Sequence, residues 1–126
     1  MEPQLMMQTA AVILAISALG GLVMAGMRFS GKPFPPTALA MLHGLLSGAA
    51  LTLLLYAYFT VGLPRYAVAA TVLLAIAALG GIVMNLSYHW NRLALPTWLV
   101  LTHAVAAVGG FGLLLVAVWG AHAVAT

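Results

Sequence analysis

The sequence predicts an all-α integral membrane protein, a four-helix transmembrane bundle built from a two-helix hairpin that occurs twice in the same orientation. Three observations predict it. The composition is 65% hydrophobic and 4% charged, far outside globular averages. Four stretches, roughly 8–28, 37–59, 66–88 and 97–121, reach the ~20 apolar residues a span needs and carry Asp, Glu, Lys or Arg only at their ends. The third observation is that the chain matches itself in the register that lays Ala10 on Ala70.

The first stretch lacks a basic n-region, its only early charge is Glu2, and its apolar part is longer than a signal peptide's. It reads as a retained first helix. The second begins after Pro36 and the fourth after Pro96; proline at a helix start forfeits no intrahelical hydrogen bond. Aromatic residues mark both edges of the bilayer: Phe29, Phe34, Tyr88, Trp90 and Trp98 on one side, Tyr56, Tyr58, Phe59, Tyr66 and Trp119 on the other.

In that register Ala10–Met24 lies over Ala70–Met84 with 11 of 15 positions identical. Without a gap, it also pairs Pro36-Thr37 with Pro96-Thr97, His43 with His103, and Leu53–Leu55 with Leu113–Leu115. Repeat one covers about 8–60 and repeat two about 68–120, within a single transmembrane domain, 1–126. Each unit holds an even number of spans, so the copies share one orientation and relate by a pseudo-two-fold axis along the membrane normal.

Arg28, Lys32 and Arg92 fall in the loops after helices 1 and 3, against Arg65 and Glu2 on the other side. By the positive-inside rule these loops are cytoplasmic and both termini lie outside, periplasmic in a bacterial inner membrane. Besides the lipid bilayer, the expected partners are other membrane subunits or a redox partner, or a second copy. The net charge of +3 comes without a basic run, so no nucleic-acid partner is expected.

Much chemistry is excluded. Without cysteine there is no disulfide, thiolate metal site, iron–sulfur cluster or c-type haem attachment. Glu2 is the only acidic residue, which argues against a proton antiporter and forbids a Ser-His-Asp arrangement within the chain. No phosphate-binding glycine loop is present, and no catalytic residue is expected.

The histidines remain. His43 and His103 lie about two turns inside their helices, on the order of 10 Å below the interface, where an ionisable residue is costly and faces the bundle interior. Residues related by a central axis approach a common point from opposite sides, so both are candidate metal ligands. His43 shares its stripe with Ser47 and Ala50, His103 shares its own with Ala107 and Gly110, and Gly20, Gly21, Gly80 and Gly81 come level with the two imidazoles. Small residues there leave room for a macrocycle, and Arg28 and Arg92 sit where propionates would need cations. The expected cofactor is therefore one haem b held between helices 2 and 4. Copper is an alternative, through Met24 and Met84, because thioethers favour Cu(I). His89 and His122 have no histidine at the paired position, Phe29 and Gly62 respectively, and read as interfacial residues.

This layout resembles the small b-type cytochrome membrane subunits that anchor dehydrogenases or exchange electrons with quinone. Two-haem members carry four histidines at two depths; this sequence has one such pair, so the resemblance implies one haem, electron relay and no catalysis of its own. Pro33-Phe-Pro-Pro36 followed by Leu42-His43-Gly44 is also similar to short bacterial four-helix membrane proteins. A contrasting expectation is a cofactor-free accessory or assembly subunit of a respiratory or photosynthetic complex. Its small-residue faces, including the GxxxG motif Gly44–Gly48, would grip other helices.

Overall fold

A computed structural model describes residues 2–120. Helix α1 spans Pro3–Phe29 and α2 Thr37–Thr60; α3 spans Arg65–Val83 and runs on into a π-helical turn, Met84–His89. Helix α4 spans Thr97–Leu115 and continues as a second π-turn, Val116–Gly120. All four are long and apolar enough to cross a membrane, which makes the chain an all-helical membrane protein. His122 lies outside the described residues.

Proline sets every start. Pro3 stands in the first turn of α1, and Pro36, Pro64 and Pro96 immediately precede α2, α3 and α4 in extended backbone with ψ of 136°, 159° and 130°. Helix α1 thus begins earlier than the sequence pattern suggests, at Pro3, and buries Met6 and Met7. Left-handed residues close the turns. Gly31 (φ 114°) follows α1 and Gly62 (φ 80°) follows α2, where a residue without Cβ avoids the steric cost of that conformation.

Within each hairpin, α1 lies along α2 and α3 along α4, whereas α2 meets α3 and α1 meets α4 much more sparsely. The shared core sits at the terminal end. Ala10, Ala50, Leu54, Ala57, Ala67, Ala70, Leu114 and Ala117 have no exposed surface, and alanine there lets backbones approach closely. Buried positions recur in the register of the sequence match: Ala10 and Ala70, Leu14 and Leu74, Ala50 and Gly110, Leu54 and Leu114, Ala57 and Ala117. Gln4 Nε2 also donates to the Val118 carbonyl at 2.7 Å, across the hairpins.

Toward the two seven-residue loops burial passes from α1 and α3 to Leu95 just before α4, to Leu99 and Val100 at its start, and to His89. Past Ser17, α1 buries nothing more, and past Ala77, α3 buries nothing until His89. The loops themselves are tied together: the Leu95 amide donates to the Pro33 carbonyl at 2.9 Å, and Arg28 Nε donates to the Leu95 carbonyl at 2.8 Å. The large apolar side chains, Leu19, Leu22, Leu45, Leu79, Val105 and Val108 among them, point outward, where lipid is as good a neighbour as another helix. Gly44 and Gly48 also face outward with open space where a Cβ would stand, so the GxxxG motif serves no contact among the described residues.

Candidate functional site

His43 on α2 and His103 on α4 face each other across the bundle, with ring centroids 6.2 Å apart and planes at 72°. Both are half-buried. His43 Nδ1 lies 2.8 Å from the Ser17 carbonyl and His103 Nδ1 lies 2.7 Å from the Ala77 carbonyl, each 26 residues back in sequence. A carbonyl only accepts, so both Nδ1 atoms carry a proton, and in a neutral ring Nε2 is then the nitrogen with the free lone pair. That is the arrangement in which an outer partner fixes the tautomer and ring orientation of a metal-binding histidine.

The glycines of α1 and α3 make room for the imidazoles. A Cβ on Gly21 would stand 3.0 Å from His43 Cε1, and one on Gly81 would stand 3.4 Å from His103 Cε1. Gly20 and Gly80 face the same two side chains, at 4.0 Å from His43 Cβ and 3.7 Å from His103 Nδ1.

The two histidines differ in their hydroxyl neighbours. Buried Ser17 places Oγ 3.0 Å from His43 Nδ1, 3.1 Å from the His43 carbonyl and 2.5 Å from Ser47 Oγ. At the corresponding places beside His103 stand Ala77 and Ala107. Sequence reasoning had no use for Ser17 beyond its lack of an acidic partner; the signal that could have found it is its spacing to His43, which equals that of Ala77 to His103. Beside His43, Ile16, Ser17, Gly20, Leu39, Leu42 and Leu46 line a cavity of about 120 Å³. Met24 on α1 and Met84, the first residue of the first π-turn, the expected thioether ligands, are half-buried.

A second site lies at the loop end of the α2/α3 seam, around His89. His89 is the last residue of the first π-turn, is 9% exposed, stacks on Phe34 at 5.4 Å and places Nε2 3.4 Å from Thr37 Oγ1. The physical reason is register. After α1, the Gly31 amide donates to the Arg28 carbonyl and that of Lys32 to Met27; after α3, Arg92 donates to His89 and Leu93 to Tyr88. Arg92 thus repeats the bond of Gly31, although the ungapped sequence match pairs Gly31 with Asn91. The slip of one position arises because a π-turn holds one more residue than an α-turn. His89 therefore occupies the place of Arg28, and not that of Phe29 as the ungapped match has it.

Around His89, Phe34, Thr37, Met41, Asn85, Trp90 and Arg92 line a cavity of about 390 Å³. The sequence-predicted cations thus part company: Arg28 is engaged with the Leu95 carbonyl, whereas Arg92 overlooks this cavity. Among the described residues no group of three or more His, Cys, Asp or Glu side chains could hold a metal. No family model, curated protein or solved structure matches the chain.

Proposed function

We propose that the protein is a membrane electron-transfer subunit binding one b-type haem between α2 and α4, with His43 and His103 as axial ligands. The observation that carries this reading is the matched pair of Nδ1–H to carbonyl bonds, which leaves both Nε2 atoms as donors. The 6.2 Å between the two ring centroids would leave room for one metal ion between the imidazoles at bonds of about 2 Å.

The fit has a spatial condition. The 120 Å³ cavity beside His43 is well below the roughly 300 Å³ at which cofactor-sized pockets begin, so the macrocycle would lie between the hairpins, where α1 and α3 bury nothing further. The remaining nitrogens of Arg28 would serve a propionate at the loop end, whereas Arg92 overlooks the separate α2/α3 cavity; Ser47 would act through Ser17 on His43. A bis-histidine iron has no open coordination position, so the chemistry it supplies is electron relay.

We also infer that the hairpins arose by duplication. The identity between Ala10–Met24 and Ala70–Met84, the buried pairs in the same register and the two equally spaced histidine–carbonyl bonds support this. The charge distribution supports cytoplasmic loops and periplasmic termini in a bacterial inner membrane, and the open Gly44–Gly48 face supports a further subunit or second copy.

A second reading, copper, is favoured by the same closeness of the two rings, because a bare ion needs no room for a macrocycle. Visible spectra of protein purified after haem-replete expression separate the two. Haem predicts a reduced b-type spectrum and a pyridine haemochrome, both abolished by His43→Ala or His103→Ala. Folded protein without haem bands, stabilised by Cu(I) in a manner lost on either substitution, would replace haem with copper; no response to either metal leaves an accessory subunit.

A further inference from the structure

The loop end of the α2/α3 seam is a site of its own, with chemistry unlike that of the histidine pair. Its 390 Å³ cavity offers a guanidinium from Arg92, an amide from Asn85, a hydroxyl from Thr37 and the buried imidazole of His89, with Trp90 at the rim. Met41 continues the lining toward the membrane interior. The occupant this shape suits has a compact, hydrogen-bond-accepting head and an apolar body.

Charge identifies the head. The loop end carries Arg28, Lys32 and Arg92, while the chain's only acidic side chain, Glu2, stands at the opposite end. Arg28 already donates to the Leu95 carbonyl. Arg92 makes no side-chain hydrogen bond among the described residues and holds a left-handed backbone, φ 56°, which residues with a Cβ adopt only at a cost. Helix α2 opens at Thr37 without a side-chain cap, so its unsatisfied amides add a positive partial charge on this side of the cavity. No acidic side chain of the chain lies at this end to pair with exposed Arg92, and at this depth the abundant anion is a lipid phosphate.

We propose that this cavity binds the phosphate head of an anionic glycerophospholipid, with an acyl chain running over Met41 into the bilayer. Arg92 supplies the charge-assisted hydrogen bonds, Thr37 and Asn85 supply neutral ones, and His89 forms the wall that the π-turn swings into place. The proposal stands independently of the haem.

Native mass spectrometry of delipidated protein in a neutral detergent tests it, by titration with phosphatidylglycerol, phosphatidylcholine and inorganic phosphate. Phosphatidylglycerol binds at least about tenfold more tightly than phosphatidylcholine, and Arg92→Gln lowers its affinity by about tenfold, the loss of a charge-assisted bond. Thr37→Val gives a smaller loss, and Arg65→Gln, at the opposite surface, gives none. Equal retention of both lipids, or indifference to Arg92→Gln in a variant with unchanged circular dichroism, means unspecific annular lipid and overturns the site. Phosphate binding that depends on Arg92 with no preference for phosphatidylglycerol overturns the lipid as its source.

Discussion

The two hairpins share a frame and differ in what they do with it. In the first, an unbroken α-helix brings Arg28 to the α1/α4 seam, where its Nε closes on the Leu95 carbonyl at 2.8 Å. In the second, one extra residue in the π-turn brings His89 to the matching place in the α2/α3 seam. There it stacks on Phe34, and the seam stays open as a cavity of about 390 Å³. The same contrast recurs at the histidine pair, where His43 has two hydroxyls nearby and His103 has alanines in their places. Matching positions thus carry a hydrogen-bonded Arg28 at one seam and an open cavity at the other, and hydroxyls beside one histidine where alanines stand beside the other; the difference rests on a handful of side chains and one residue of register.

The closed seam is the place to break this contrast most severely. Arg28→Ala removes a charged donor from a carbonyl on a buried residue and is expected to cost about 1.5–3 kcal/mol, read as a lowered unfolding temperature in detergent. His89→Ala, which leaves the open seam merely wider, should cost less. A smaller loss for Arg28→Ala than for His89→Ala would mean that the seams are not closed and open as described.

The glycines sharpen the comparison next, because the same substitution should act with opposite sign in the two hairpins. In Gly21→Ala the new Cβ meets His43 Cε1 at 3.0 Å, against a ring held by Ser17, and overpacking of this kind costs about 1–3 kcal/mol. In Gly81→Ala the distance to His103 Cε1 is 3.4 Å, near ordinary contact. There the helix-propensity gain of about 1 kcal/mol should leave stability unchanged or improved. Thermal unfolding of the two variants side by side decides it, and equal losses would remove the asymmetry.

A loss smaller than those of Arg28→Ala and Gly21→Ala belongs to Ser17→Ala, which gives α1 the residue that α3 has. It should cost about 1 kcal/mol, the net worth of a hydrogen bond. The backbone bond to His43 Nδ1 survives, so the position of His43 is expected to stay unchanged by nuclear magnetic resonance of the labelled ring. Movement of that ring would assign its placement to the hydroxyl in place of the carbonyl.

The broad frame was legible in the sequence because its causes are compositional or rigid. Apolar run length dictates the spans, and proline dictates the starts after Pro36 and Pro96. The register of the internal match placed His43 and His103 at one depth, and the structure puts their rings 6.2 Å apart. The π-turn was not legible. Met84–His89 contains no glycine or proline, and a one-residue gain in a helix leaves no mark when the flanking sequence realigns at Pro96. For that reason His89 read as a loop residue, and the cavity that it and Arg92 border had no sequence counterpart. Arg28 was expected to face a ligand; its hydrogen bond across to Leu95, 67 residues away, is a tertiary contact no local pattern announces.

The alanine-rich core at the terminal end has a consequence for biogenesis. Helix α1 lies along α2 and α3 along α4, while the two hairpins meet more sparsely, at the core that holds Ala10, Ala50 and Ala70 and again at the loop end, where Leu95 binds Pro33 and Arg28 binds Leu95. Each hairpin thus has its own partner helix on entering the bilayer, and joining the two is expected as a separate, later event that seals the bundle at both ends and encloses the histidine level between them.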